Sequence, residues 1–286
     1  MVSSRGPASY ILPPDLHIHT MYSEHASGTM EETVRSAIAK GMTEMGFADH
    51  FPYPPGFSAP APNCVIPDEG QFTIYADEVR RLQSAYAERI NVRFGAEIDY
   101  LGEPSSPQKS MRHRFAFDYV IGSVHIVQNV AIDYQEEMLL EHLDELGGVE
   151  KLWEAYWDRL ERLVREDDCH IIGHLDILKK YDISISRKDH RKRVRQIFQL
   201  MKNKNMAIEV NTGGIDRASD RRPYPSISYL ELAAEMELYI TLGSDAHSPQ
   251  DVGRYFGETV EMLKSLGWKG SMTFNSGQKL FIPFAS

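Results

Sequence analysis

Residues 15–50, DLHIHTMYSEHASGTMEETVRSAIAKGMTEMGFADH, hold two strand-like runs on either side of a helix-like segment. The short runs Asp15–His19 and Glu44–His50 have the apolar and β-prone composition of buried strands. Between them, Thr29–Lys40 has a helical period of apolar residues and a capping-box pattern at its start. This stretch predicts a strand–helix–strand unit with parallel strands.

The same alternation continues along the chain. Five more strands are predicted at Asn91–Tyr100, Asp118–Ile126, His170–His174, Met206–Asn211 and Glu237–Asp245. The remaining helical segments are Gln71–Ile90, 149–164, Lys188–Asn203, Ile227–Met236 and Gln250–Gly267. Repeated alternation predicts an α/β fold with a parallel sheet, and both an open doubly wound sheet and a closed barrel fit it. Without a recognisable boundary, residues 1–286 are expected to form a single domain.

Composition excludes several classes of protein. The chain has 286 residues, with 41 acidic against 31 basic side chains and a formal charge of −10. No apolar run is long enough to span a membrane, and the N-terminal residues do not resemble a secretory signal. Two cysteines are too few for a disulfide framework, so a cytoplasmic location is expected. The acidic balance argues against binding of long nucleic acids.

Metal-ligating residue types recur at or just after the ends of the predicted strands. Because the carboxyl ends of parallel strands meet at one rim, we expect these side chains to converge there. In His17-x-His19, the two imidazoles share one face of a strand and can reach the same ion. The nine candidate metal ligands are His17, His19, His25, His50, Glu97, His125, His174, Asp245 and His247.

The charge of this set points to a substrate class. The imidazoles are neutral, so Glu97 and Asp245 are the only carboxylates in it. Three divalent ions would keep about four uncompensated positive charges, which favours a phosphate dianion and lowers the pKa of a bridging water. The predicted chemistry is therefore hydrolysis of a phosphoester.

The ordered motifs resemble those of the polymerase-and-histidinol-phosphatase (PHP) superfamily of metal-dependent phosphoesterases. The resemblance runs from about residue 15 to residue 250 and is carried by six motifs: DLHIHTMYSEH (15–25), GFADH (46–50), GAE (95–97), GSVH (122–125), GHLD (173–176) and GSDAH (243–247). Three further motifs resemble the histidinol-phosphate phosphatase branch: GTMEE (28–32), DHFP (49–52) and EVNTG (209–213).

The resemblance implies a distorted (β/α)7 barrel of the TIM-like kind and two to three divalent ions of zinc, manganese or iron. By motif, the first ion would be held by His17, His19, Glu97 and Asp245. Glu97 would bridge to a second ion bound by His125 and His174, and a third would lie among His25, His50 and His247. A hydroxide bridging two ions would attack phosphorus, with Glu97, Asp245 and His247 as the catalytic side chains.

The branch implies that the substrate is L-histidinol phosphate, cleaved to L-histidinol and phosphate in histidine biosynthesis. Candidate substrate contacts are Arg217, Ser123 and Arg222. The branch usually places an arginine directly after Asn-Thr-small-Gly-apolar, whereas here Asp216 comes first and Arg217 follows. The long loop Phe51–Asp68 is expected to cover the site as a lid.

Two other functions fit the superfamily pattern. One is a phosphoesterase acting on another phosphomonoester, or on nucleotide or oligonucleotide phosphodiesters. The other is a non-catalytic metal-binding or polymerase-accessory module, which the complete ligand set argues against.

Overall fold

A computed structural model describes residues 12–62, 65–102 and 107–285 of the chain. The strands in these ranges are β1 (Glu44–Phe47), β2 (Asn91–Asp99), β3 (Tyr119–Ser123), β4 (Ile126–Val127), β5 (Val130–Ala131), β6 (Ile171–Ile172), β7 (Ala207–Asn211), β8 (Tyr239–Gly243), β9 (Gly270–Asn275) and β10 (Gln278–Pro283). Six of them form one parallel sheet in the order β1-β2-β3-β6-β7-β8.

The α-helices of the same ranges alternate with these strands along the chain, beginning before β1. They are α1 (Met30–Ala39), α2 (Glu69–Tyr86), α3 (Pro107–Arg112), α4 (Glu136–His142), α5 (Val149–Glu166), α6 (Arg191–Asn203), α7 (Gly214–Arg217), α8 (Ile227–Glu235) and α9 (Phe256–Ser265). Their buried apolar residues belong to the main core that surrounds the sheet. The capping box predicted for α1 is present, because Thr29 and Glu32 exchange hydrogen bonds.

The segment predicted as the first strand closes the sheet into a barrel. Residues 15–19 form isolated bridges in place of a continuous ladder. Asp15 bridges in parallel to Met45 of β1 and also to Leu242 of β8, the two edges of the sheet. The backbone N–H of Leu16 donates to Leu242 at 3.0 Å, and that of Gly46 donates to Asp15 at 2.8 Å. Seven extended segments therefore surround the interior, and the predicted distorted (β/α)7 barrel is confirmed.

Several predicted elements are shorter in the structure, among them one helix and one strand beside the site. The segment expected to be helical from Gln250 becomes an α-helix only at Phe256. Gly253 and Tyr255 have φ values of +62° and +60°, which a right-handed helix does not accommodate. The strand expected over His170–His174 pairs only at Ile171–Ile172, which leaves His174 in the loop beyond it.

A C-terminal hairpin that the sequence did not predict contributes to the barrel core. Strands β9 and β10 pair antiparallel, and Phe274 of β9 is 1% exposed. Its ring lies 6.2 Å from that of Tyr119, centroid to centroid, within the smaller of the two apolar clusters. A Cβ at Gly46 or Gly95 would lie 2.2 or 2.4 Å from Tyr119, so both glycines leave room for this ring.

No helix in the described part of the chain is long and apolar enough to cross a membrane.

Candidate metal centre

The nine predicted ligands come together at the carboxyl end of the barrel. His17 and His19 lie on the closing segment, while Glu97 lies within β2. The other six lie in loops that follow these extended segments: His25 after the closing segment, His50 after β1, His125 after β3, His174 after β6, and Asp245 and His247 after β8. Short distances connect all nine into one cluster.

Glu97 lies at the centre of this cluster and is 1% exposed. Its Oε2 is 3.2 Å from His17 Nε2 and 3.3 Å from His50 Nδ1. Its Oε1 is 2.9 Å from His174 Nε2 and 3.4 Å from His125 Nε2. One carboxylate thus contacts imidazoles from four separate segments, as a ligand shared between two metal ions would.

The ring nitrogens of the cluster fit bound cations. His17 Nε2 lies 3.1 Å from His19 Nε2, and His125 Nε2 lies 3.0 Å from His174 Nε2. Two neutral imidazoles placed this way direct lone pairs at each other unless a proton or a cation lies between them. In addition, the buried Nδ1 of His50 makes no hydrogen bond within the described ranges, although Glu97 Oε2 lies 3.3 Å away. Nitrogen and carboxylate donors in this arrangement suit zinc and related divalent ions.

Four groups of three ligand atoms lie within 4.8 Å of one another: His17, His19 and Glu97; Glu97, His125 and His174; His19, His25 and His247; and His50, Asp99 and His125. The first two match the grouping that the motifs imply. In the other two, His25 and His247 group with His19, whereas His50 groups with Asp99.

Three buried carboxylates beside the predicted ligand histidines were not among the predicted site residues, although two of them lie in the quoted motifs. Asp99 Oδ1 lies 2.5 Å from His125 Nδ1, and Glu209 Oε1 lies 2.5 Å from His17 Nδ1. Asp49 Oδ1 lies 3.5 Å from His19 Nδ1. The signal for Asp99 was its position two residues after Glu97, which places both side chains on the same face of β2.

These carboxylates change the charge of the centre. Together with Glu97 and Asp245, they make five carboxylates around the histidines. Three divalent ions would then keep one uncompensated charge rather than four. Affinity for an anionic substrate must therefore also come from cationic side chains in the cavity.

The carboxylates are ionised in spite of their burial. Burial raises the pKa of Glu97, but the charges of His50 and His17 outweigh it, so the pKa lies well below its usual range. Burial likewise raises the pKa of Asp245, and the charge of Arg217 reverses the shift to well below the usual range. Both are ready to bind a cation at neutral pH.

The histidines of the cluster fall into two classes, those with a raised pKa and those with a lowered pKa. Burial lowers the pKa of His125, but Asp99 and Glu97 raise it to about 10. His17 also has a pKa well above its usual value, because Glu209 and Glu97 outweigh burial. In contrast, burial lowers the pKa of His50 to about 3. Burial and the charge of His19 hold the pKa of His25 and of His247 below the usual value.

Eight of the nine predicted ligands line a cavity of about 630 Å³, and His17 is not among its lining residues. Among the predicted substrate contacts, Arg217 lines this cavity and donates from Nη1 to Asp245 Oδ2 at 2.7 Å. Ser123 is fully buried and donates to Glu97 Oε1 at 2.6 Å. Arg222 is exposed and is not among the lining residues.

Two charged residues that line the cavity, Lys180 and Asp133, are not among the predicted substrate contacts. Lys180 Nζ donates to the backbone carbonyl of Asp133 and lies 4.0 Å from its carboxylate. Both side chains line the cavity. Asp176, four residues before Lys180, accepts hydrogen bonds from Ser226.

The predicted lid contributes one aromatic ring to the cavity. Residues 51–62 and 65–68 contain neither helix nor strand, and residues 63 and 64 lie outside the described ranges. Tyr53 lines the cavity. Phe51 is 1% exposed and packs against Phe72, with ring centroids 4.7 Å apart.

The fold and this rim define a barrel protein with a multi-histidine metal-binding centre. A family model for the PHP domain matches residues 15–213. The chain belongs to the PHP domain family.

Relatives and a solved structure resemble most of the chain. A protein of Deinococcus radiodurans named "Probable histidinol-phosphatase" is 30% identical over 260 residues, covering 91% of this chain and 95% of its own. Histidinol-phosphatase of Bacillus subtilis is 26% identical and covers 86% and 98%. The crystal structure of histidinol phosphate phosphatase from Lactococcus lactis, complexed with zinc, L-histidinol and phosphate, has a TM-score of 0.75 at 21% identity and covers 94% and 99%.

Proposed function

We propose that this protein is a metal-dependent phosphomonoesterase that hydrolyses L-histidinol phosphate to L-histidinol and phosphate. The observation that carries the proposal is the position of Glu97, buried among four histidines at the floor of a cavity. Full-length relatives named as histidinol-phosphatases support the substrate.

Two to three divalent ions would be held by the nine ligands, with zinc, manganese and iron all compatible with nitrogen and carboxylate donors. When bound, such ions polarise a phosphoryl group and lower the pKa of water. Glu97, Asp245 and His247 are the catalytic residues of the proposal. Ser123 holds Glu97 in place through its hydrogen bond to Oε1.

The phosphate end of the substrate is recognised by two cations. Arg217 is anchored by donating to the carbonyl oxygen of Asp245 at 2.8 Å as well as to its carboxylate. A guanidinium fixed in this way presents its remaining N–H groups in a rigid direction, as a phosphate clamp requires. Lys180, at the end of the 3₁₀ helix Ile177–Lys180 that follows β6, adds a second positive charge.

The alcohol end carries an ammonium group and an imidazole, and the cavity has matching side chains. Asp133 and Glu24 contribute negative charge to its lining. Lys180 and Tyr181 both donate to the carbonyl of Asp133, which fixes the backbone at this position. Tyr53 and Tyr134 provide aromatic surfaces for the imidazole.

We also propose a domain organisation, a location and a substrate size for this protein. The chain acts as one domain in the cytoplasm, on a small phosphorylated substrate and without long nucleic acids. The net charge of −10 supports the last point, because polyanions are repelled by it.

The test is a substrate panel. Protein reconstituted with zinc, manganese or iron is incubated with L-histidinol phosphate, a sugar phosphate and a nucleotide diester, and the products are quantified. We expect equal amounts of histidinol and phosphate, with histidinol phosphate the preferred substrate. Faster turnover of a diester or a sugar phosphate would refute the substrate assignment.

A further inference from the structure

Glu209 is a buried carboxylate that the metal-ligand set does not include. It lies on β7 and is 1% exposed. Its Oε1 lies 2.5 Å from His17 Nδ1. Its Oε2 accepts hydrogen bonds from the backbone N–H of His174 at 2.8 Å and from Nδ2 of Asn211 at 3.2 Å. A single carboxylate thus contacts two ligand residues that belong to different segments of the barrel.

The absence of a side chain at Gly243 leaves room for the Glu209 carboxylate. A Cβ at position 243 would lie 2.2 Å from Glu209 Oε1 and 2.6 Å from His17 Cβ. Gly243 therefore permits the close approach of β8 to the Glu209–His17 pair. The contact is part of the packing of the barrel interior, since both side chains are 1% exposed.

The two nitrogens of His17 face different groups. Nε2 points into the cluster, 3.1 Å from His19 Nε2 and 3.2 Å from Glu97 Oε2. Nδ1 points away from it, towards Glu209. An imidazole that ligates through Nε2 carries its proton on Nδ1, and a carboxylate at that proton fixes both the tautomer and the ring plane.

We propose that Glu209 is a positioning residue of the metal centre, which keeps His17 in its Nδ1–H tautomer and holds the backbone of His174 at the rim. The effect extends to a third ligand, because Nδ2 of Asn211 also lies 3.3 Å from Asp245 Oδ2. The inference rests on the metal centre of the proposed function but not on its substrate.

The first test compares zinc affinity in E209Q with that in D176N. Glutamine keeps the shape of Glu209, but its NH2 must face either the N–H of His17 or the donors of His174 and Asn211. Asp176 is a matched control: its carboxylate is 1% exposed near the same rim, and it hydrogen-bonds to Ser226 rather than to a ligand histidine. Zinc affinity is measured by competition with a chromophoric chelator, without substrate.

We expect E209Q to bind zinc about 10- to 100-fold more weakly than wild type, the usual effect of losing such a partner. D176N should stay within about threefold of wild type. Unchanged affinity in E209Q, or an equal loss in D176N, would overturn the proposal. Because no substrate is present, a failed histidinol-phosphate assay would leave this result interpretable.

The second test uses the wild-type protein and so does not depend on the folding of a variant. Imidazole ¹⁵N NMR of the zinc-loaded protein reports which nitrogen of each histidine is protonated. We expect the His17 signals, assigned through correlations with its own backbone resonances, to show protonated Nδ1 and zinc-bound Nε2. A zinc-bound Nδ1 would refute the positioning role.

Discussion

Asp99 lies between the lid and the metal centre: its Oδ1 is 2.5 Å from His125 Nδ1, and its Oδ2 accepts a hydrogen bond from Tyr53 at 2.6 Å. The same carboxylate thus contacts a ligand histidine and an aromatic residue of the cavity wall. Its charge is the main reason that the pKa of His125 rises to about 10 against the opposing effect of burial. Protonation of His125 is therefore linked to metal binding.

Metal binding should release protons at pH 7. In the metal-free protein, the raised pKa values of His125 and His17 keep both imidazoles protonated, whereas His50, with a pKa of about 3, is already neutral. A metal binds the neutral form, so at least two protons should leave, and His19 adds to the release because its pKa is also raised. Affinity should therefore rise with pH between about 6 and 8. Calorimetric titration with zinc in buffers of different ionisation enthalpy measures the number of protons released.

The variant Asp99→Asn provides the control for proton release. Removing its charge lowers the pKa of His125, so we expect about one proton fewer than in wild type. Binding heats that do not depend on the buffer would contradict the linkage.

Glu97→Ala should lower turnover by at least about 10³, because the side chain contacts four ligand histidines and the metal centre is the main catalytic device. His113→Ala is the comparison, since His113 is exposed and lies outside the cavity lining. It should remain within about twofold of wild type. A tenth of wild-type activity in Glu97→Ala would be incompatible with the central position of Glu97.

Asp133→Asn should lower kcat/KM for a substrate that carries an ammonium group and leave it nearly unchanged for one that does not. A hydrogen bond to a charged group contributes about 1.5–3 kcal/mol, so kcat/KM for histidinol phosphate should fall by about 10- to 100-fold. The value for p-nitrophenyl phosphate, which has no ammonium group, should change less than about threefold. Equal losses for both substrates would indicate a disturbed metal centre instead.

The wild-type protein should prefer histidinol phosphate over p-nitrophenyl phosphate by at least about 10² in kcat/KM. This ratio corresponds to roughly 2.7 kcal/mol, since each decade is about 1.36 kcal/mol. Binding energy from the imidazole and the ammonium group is the source. Steady-state kinetics on a single preparation gives the ratio, and a value near unity would mean that the cavity does not select the alcohol.

Phe274→Ala should destabilise the fold by about 3–5 kcal/mol, because it removes a fully buried aromatic ring from the barrel interior. Phe281 on the paired strand β10 is 55% exposed, so Phe281→Ala should change the free energy of unfolding by less than about 0.5 kcal/mol. Urea denaturation of the metal-loaded variants tests both. Similar stabilities would show that the hairpin does not support the core.

The sequence predicted the barrel and the convergence of nine candidate ligands because both follow from short-range patterns. Histidines two apart, as in His17-x-His19, and ligands at strand ends are visible without long-range information. The pairing of Asp15 with both β1 and β8 is not, because it depends on how far the sheet curves.

Residues that act through the ligands were harder to predict. Glu209 was visible only as part of a motif, because its contact with His17 joins positions 192 residues apart. Arg217 could be proposed from the family pattern, but its anchoring on Asp245 depends on the one-turn helix Gly214–Arg217. Asp133 lies in a loop and Lys180 ends the short 3₁₀ helix Ile177–Lys180. Neither belongs to a motif, so the direction of each side chain follows from tertiary contacts alone.

The closing segment of the barrel also sets the order in which the protein can be completed during synthesis. Asp15 hydrogen-bonds to the backbone N–H of Ser244, 229 residues later in the chain. A nascent chain therefore carries His17 and His19 long before β8 has been made, and it can close the barrel around them only after β8 has left the ribosome. Until then, the first two ligands have no Asp245 beside them, so metal capture by the complete set is a late event in biogenesis.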